Sequence, residues 1–169
     1  LDTVGALVVV LDREGHIARF NRACEQLTGY TFAEVQGRPF WAFLLLPEEA
    51  GPVRDTFQQL LTGQFPNTLE NYWVARDGSH KLIAWTNTAV LDPQGQAEYI
   101  IGTGIDVTER RRAEEALRQS EQKFRQLFDI LPVGISLLDD QRRVVDVNPA
   151  MEGALRMSRE ALLDGAHAR

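Results

Sequence analysis

A single cysteine, Cys24, stands among 169 residues. No internal disulfide is available, and a reducing, cytoplasmic setting is expected. As a small apolar residue on a helix face, Cys24 needs no redox role. Long apolar runs are missing too. The longest, Phe40 to Leu46, is closed by Pro47 and falls far short of the roughly 18 residues that a membrane span needs. Positive charge is also scarce. Eighteen Lys and Arg against 24 Asp and Glu give a net charge of -6, which offers no attraction to nucleic acid or an anionic membrane. The one basic run, Arg110-Arg111-Arg112, sits among glutamates and reads as a solvated face. The three histidines, His16, His80 and His167, are scattered in turns and the tail, without the spacing of a metal site. No nucleophile and base pair, phosphate-cradling glycine loop or spaced carboxylate pair is visible, so this chain is not expected to be an enzyme. Leu1 occupies the place of an initiator Met, and a fragment of a longer protein is expected.

What is present is ordinary for a globular domain: 44% apolar and 25% charged residues. Leu7 to Leu11 is a valine-rich strand, Asp12 to Gly15 a turn, and His16 to Phe20 the returning strand of a hairpin. Asn21 is a helix N-cap and Gly29 the stop. Thr31 and Glu34 form a capping box for a second short helix. Pro47-Glu48-Glu49 carries the proline and acids of a helix start, with Phe57, Leu60 and Leu61 as the buried face. Three strands follow. Thr68 to Arg76 and His80 to Leu91 flank Asp77-Gly78, a hairpin signal, and Asp92 to Gly95 turns the chain into Ala97 to Ile105. The order predicts an α+β fold: a five-stranded antiparallel sheet with short helices on one face.

A long charged helix then begins after Asp106-Val107-Thr108. Ala113, Leu117, Ser120, Phe124, Leu127 and Leu131 recur at alternating steps of four and three, the seam of a coiled coil. Glu114 with Arg118 and Glu121 with Arg125 are spaced for pairing along the helix. So thin an apolar stripe is poorly stabilised alone, which points to a partner helix. The sequence on either side repeats. At an offset of 127, Leu11-Asp12, Asn21, Ala23 and Glu25 recur as Leu138-Asp139, Asn148, Ala150 and Glu152. The second copy stops after its first hairpin and helices, so Ile135, Leu137 and Val145 should be partly exposed beside an unpaired sheet edge. It is expected to pair with another chain or to pack irregularly.

These motifs resemble those of the PAS family, the sensory modules of bacterial signalling proteins. The resemblance rests on the stretch from Asn21 to Tyr30, on Gly37-Arg38-Pro39-Phe40, on Arg76-Asp77-Gly78-Ser79, and on Gly102 to Arg110. The last is similar to the family's Asp-Ile-Thr signature, with Val107 in place of Ile. In such proteins the Asp and Thr, here Asp106 and Thr108, sit where the last strand becomes the signalling helix. The resemblance therefore implies a transmission role, beside the simpler reading of Thr108 as an N-cap.

The resemblance also implies a ligand space between the inner sheet face and the helices. By strand alternation Ile83, Trp85 and Asn87 share a face; the family alignment makes it the inner one and adds Trp73, Gly102 and Gly104, with Phe40, Trp41 and Phe43 nearby. These residues read either as an aromatic pocket or as a filled core in which each tryptophan occupies the space left by glycine. The filled core is taken first, so no resident cofactor is expected. Non-covalent FAD or a small apolar ligand is the alternative. Gly37 to Phe40 lacks the cysteine of a photoactive flavin site, and Arg54 to Leu61 offers no histidine for haem. Asn87, if directed inwards, needs a partner from protein or ligand.

The expected organisation is a PAS domain over 1-106, a signalling helix over 107-131, and the opening of a second PAS domain over 132-169. The expected function is sensing or relay in a multidomain bacterial protein, homodimeric through the helix. Its output domain would be a histidine kinase or a diguanylate cyclase or phosphodiesterase. A ligand-free dimerisation module is the competing expectation.

Overall fold

The structure, a computed structural model, describes residues 5-165; His167 lies outside the described residues. The chain forms two compact units, Leu1–Arg111 and Arg112–Arg169.

In the first unit β1 (Leu7–Leu11) and β2 (Ile17–Phe20) make the opening hairpin. They are followed by α1 (Arg22–Thr28), α2 (Phe32–Val35), a 3-10 turn (Phe40–Ala42) and α3 (Ala50–Leu61). The meander β3 (Asn67–Val74), β4 (His80–Leu91) and β5 (Ala97–Asp106) completes a sheet of order β2-β1-β5-β4-β3. Every described pairing in it is antiparallel. Its central strand is therefore the last, β5, which leaves the sheet directly into α4 (Thr108–Ile130).

The local signals explain most boundaries. Asn21 caps α1 by accepting the Cys24 N–H, and Gly29 closes that helix in the left-handed conformation. Thr31 and Glu34 form the reciprocal bonds of a capping box. Two boundaries differ from expectation. The helix expected from Pro47 starts at Ala50, because the Glu49 carboxylate accepts the N–H of Tyr72 at 2.9 Å instead of capping its own helix. The strand expected to reach Arg76 ends at Val74, where the Ala75 N–H bonds Ser79 O at 2.9 Å and opens the turn early.

The core lies between the inner sheet face and the helices. Leu7, Val9 and Leu11 of β1, Ile17 and Phe20 of β2, Trp73, Ile83, Trp85 and Ile100 of the meander, and Val53, Phe57 and Leu60 of α3 are all buried. The spacing 53, 57, 60 is one helical face, and alternate strand residues meet it.

The second unit contains the C-terminal part of α4, a two-stranded sheet of β6 (Ser136–Leu138) and β7 (Val144–Val147), α5 (Pro149–Leu155) and α6 (Arg159–Gly165). The internal repeat is structural. Asn21 Oδ1 accepts the N–H groups of Val8 and Cys24 while its Nδ2 donates to Ala6 O. At the same offset of 127, Asn148 Oδ1 accepts from Ile135 and Met151, and its Nδ2 donates to Val133 O. Ile135 and Leu137 are half-buried and Val145 is exposed.

Candidate functional site

Three alternate positions of β3, Leu69, Asn71 and Trp73, face Trp85 and Asn87 of β4 across the sheet. The face Val53, Thr56, Phe57 and Leu60 of α3 closes over them, and Phe40, Val9, Leu11, Ile100 and Gly102 complete the walls of a cavity of about 50 Å³. No lining side chain carries a charge. Of the residues singled out in the sequence, Phe40, Trp73, Trp85, Asn87 and Gly102 line this cavity, whereas Trp41, Phe43, Ile83 and Gly104 do not.

Each of the four has a different occupation. The Trp41 ring lies over Gly15, where an added Cβ would come within 2.2 Å of it, and packs edge-on against Phe57 at 5.7 Å. Phe43 meets Tyr30 edge-on at 5.3 Å and carries the Arg38 guanidinium 4.2 Å above its ring. Ile83 and Trp85 together fill the space that Gly104 leaves: a Cβ there would stand 2.7 Å from both side chains. The tryptophans are themselves packed in series. Trp73 lies 6.0 Å from Phe20 with the rings nearly parallel, and 4.7 Å from Trp85. Of the α3 and β3 lining, Val53, Thr56, Leu69 and Asn71 were not singled out in the sequence, and Phe57 and Leu60 only as the buried face of their helix; the period-2 alternation through Trp73 and the 53, 56, 57, 60 spacing carried the signal.

The polar end of the space is built by asparagines. Asn87 lines the cavity, its Oδ1 3.2 Å from where a Cβ of Gly102 would sit. Directly across the ladder and on the same face, Asn67 Oδ1 is buried with no hydrogen-bond partner among the described residues. Buried amide oxygens are normally satisfied; Asn67 itself is not among the residues that line the cavity.

Drug-sized ligands occupy roughly 300–1,000 Å³, and an apolar cavity of about 150 Å³ is what benzene takes up. The cavity here, about 50 Å³, is smaller than either. His16 Nδ1 lies 3.1 Å from the Asp12 carboxylate in the first hairpin, and His80 is exposed at the start of β4. Neither lines the cavity.

Cys24 is fully buried with its Sγ donating to Val8 O at 3.5 Å. Burial pushes its thiol up to about 12, against the lowering effect of the hydrogen bonds to Val8 and Asn21. Burial likewise raises the Glu49 carboxyl, partly offset by the Tyr72 N–H.

The second part of the site is the joint between sheet and helix. Asp106 Oδ1 accepts the Thr108 N–H at 2.9 Å, and the Thr108 hydroxyl accepts the Leu82 N–H at 2.8 Å. The Val107 N–H returns to Leu82 O at 2.9 Å. Arg111, one turn on, reaches Glu70 of β3 at 2.7 Å. Thr108 is the first helical residue rather than the N-cap, and it is buried. Along α4 two arginines reach acids that the four-residue spacing did not point to. Arg118 takes Glu115 through both Nε and Nη2, at 2.9 and 2.8 Å. Arg125 takes Asp146 at 2.8 Å instead of Glu121. Of the seam, Ala113 and Ser120 are exposed, as are Leu117 at 62%, Phe124 at 48%, Leu127 at 57% and Leu131 at 40%.

Residues 1–112 match the profile of a family described as PAS fold. This chain belongs to the PAS family. Residues 122–166 match a second profile, described as PAS domain. This chain is 32% identical over 112 residues to the cyclic di-GMP phosphodiesterase PdeR of Escherichia coli (strain K12), covering 66% of this chain and 17% of that protein. The Nitrogen fixation regulatory protein of Klebsiella pneumoniae is 28% identical over 153 residues, 89% of this chain and 30% of the relative. Among solved structures, the PAS domain of the RpfR quorum-sensing receptor of Cronobacter turicensis, in complex with C12:0, superposes with a TM-score of 0.56 at 28% identity. That match covers 64% of this chain and 99% of that one. The relatives include a phosphodiesterase, a probable diguanylate cyclase and a sensor histidine kinase, all bacterial signalling proteins. The chain spans 17% and 10% of the first two of these. No helix among the described residues is long and apolar enough to cross a membrane.

Proposed function

We propose that the first PAS unit is a sensing or relay module whose core is coupled through Asp106-Val107-Thr108 to α4, and that α4 pairs with α4 of a second copy. The observation that carries this reading is the set of hydrogen bonds fastening the first turn of α4 to Leu82 of β4. β4 also carries Trp85 and Asn87 into the cavity. A shift of the inner face therefore has a direct mechanical route to the helix. The exposed seam of Leu117, Phe124 and Leu127 supports pairing, since such residues at a/d spacing gain most by facing a partner helix. This fragment acts without catalysis of its own in this reading. The reaction belongs to an output domain elsewhere in a cytoplasmic parent, a kinase or a cyclic-dinucleotide enzyme like those of the relatives. Sedimentation velocity tests the pairing: the native chain runs as a dimer, and Leu117→Glu combined with Leu127→Glu runs as a monomer. A monomeric native chain rejects it.

A second reading concerns the input. The inward amides of Asn71 and Asn87 favour a small, uncharged polar molecule, held at the asparagine side of an otherwise apolar cavity. The Cronobacter domain takes C12:0, and a chain of that length needs more room than this cavity offers. Non-covalent FAD is disfavoured by the packing of Trp73 on Trp85. Native mass spectrometry with a visible spectrum of the same sample decides between them: bare mass supports a ligand-free core, a small added mass the asparagine site, and a flavin band neither.

A further inference from the structure

Helix α4 ends at Ile130, and Pro132 follows. A helix that ends before proline and opens into a loop would ordinarily pass motion into the loop rather than through it. Here the link is braced at several points. Asn148 is fully buried. Its Nδ2 has two hydrogens, and beyond Val133 O at 2.9 Å it donates to Phe128 O at 3.0 Å, with Leu131 O at 3.4 Å. Phe128 O is one of the last four carbonyls of α4, which have no partner within the helix. One amide thus binds the helix end, the link, and through its Oδ1 the N–H of Ile135 and of Met151 in α5. Gly134 packs so closely on α5 that a Cβ there would meet Met151 Cα at 3.1 Å.

A second contact lies one turn back along α4. Asp146, 6% exposed, accepts from Arg125 at 2.8 Å and from Arg159 of α6 at 2.9 Å. The repeat shows that this acid is an addition. At the offset of 127 the first unit has Arg19, exposed and turned back onto Ala18 O. Asn148 thus keeps the ties of Asn21 and adds bonds to α4, whereas Asp146 has no counterpart.

We propose that Asp146 and Asn148 form the receiving joint of the second PAS unit, fixing where α4 enters it so that helix motion is delivered to β7 and α5 instead of being absorbed at Pro132. The proposal deepens, and rests on, the relay reading above. It makes Asp146 and Asn148 positioning residues for the signal, with the second unit as its first recipient.

The test is a distance within the second unit of the full chain. Spin labels at Gln122→Cys on α4 and Asp140→Cys in the β6-β7 turn are measured with labelled chain diluted into unlabelled chain. The native protein gives one narrow distance. Asn148→Asp keeps the acceptor oxygen and removes the donor, and Asp146→Asn keeps the shape and removes the charge; each loses the single distance and gives a broad distribution. If Asn148→Asp fails to fold by circular dichroism, Asp146→Asn carries the test. A native narrow distance in folded Asp146→Asn overturns the proposal. Thr108→Val serves as the separating control: it acts at the other end of α4 and leaves this distance narrow, so failure of the relay is read apart from failure of the receiving joint.

Discussion

The hydroxyl of Thr108 accepts the backbone N–H of Leu82 at 2.8 Å, a bond between residues 26 apart in sequence. Both residues are buried. Thr108→Val keeps the shape and leaves that N–H without an acceptor, at a cost of about 1–3 kcal/mol. Thr108→Ser keeps the bond and should stay close to the native stability. Urea unfolding of the two variants checks this, and equal midpoints would remove Thr108 from the joint.

Gly104 is a position at which the sheet face leaves no room for a side chain. A Cβ there would stand 2.7 Å from Ile83 Cγ2 and from two ring carbons of Trp85. Overpacking of this kind costs about 1–3 kcal/mol, and in a domain of this size each kcal/mol lowers the melting temperature by roughly 4–8 °C. Gly102→Ala, with nearest approaches of 3.1 to 3.3 Å, should cost less. Thermal melts of the pair rank them; a Gly104→Ala protein as stable as native would mean that Trp85 has free space beside it.

How much of this was legible beforehand divides along physical lines. Asn21, Gly29, Thr31, Glu34 and Asp77-Gly78 act within a few residues, and the short-range chemistry that they encode is what the structure contains. Glu49 is the instructive failure. Its position marks a helix start, but its carboxylate goes to Tyr72, 23 residues on, because the edge strand β3 offers it a backbone N–H. Arg125 fails similarly: the i to i+4 rule pointed to Glu121, and a buried acid on β7 takes it instead. That Ile83, Trp85 and Asn87 share a face was readable by alternation; that this face is the inner one came from the family resemblance. Which of its residues touch open space was not readable, since that depends on how Trp85 fills the void beside Gly104.

Cys24 should be unreactive in the native protein. Its thiol is raised to about 12 by burial, and the thiolate is the reacting form. Labelling by a thiol reagent at pH 8 is expected only after unfolding in denaturant. Native labelling at the rate of a free thiol would show that α1 opens readily from β1.

Asp146 gives the second unit an acid sensitivity. Burial pushes its carboxyl up, but the bonds from Arg125 and the Val147 N–H, with the Arg159 charge, outweigh that and hold it below its ordinary value of 3.8. A carboxyl depressed in the folded state contributes stability that is present above the unfolded value and is lost as pH falls through the folded one. Melting of the native chain followed from pH 7 to pH 2 should therefore fall off in the acid range. Asp146→Asn should be less stable at pH 7 and lose less on acidification. Parallel curves for the two proteins would assign the acid loss to other groups.

The relay through the joint is tested most directly by an inter-chain distance. With Cys24 buried, a spin label at Gln122→Cys, on the outer side of the proposed helix pair, reports the spacing between the two copies of α4 by pulsed dipolar spectroscopy. The relay account predicts a defined distance in the native dimer and a shifted or broadened one in Thr108→Val, with the helix content unchanged. A monomer without dipolar coupling, or a distribution that Thr108→Val leaves as it was, would contradict it.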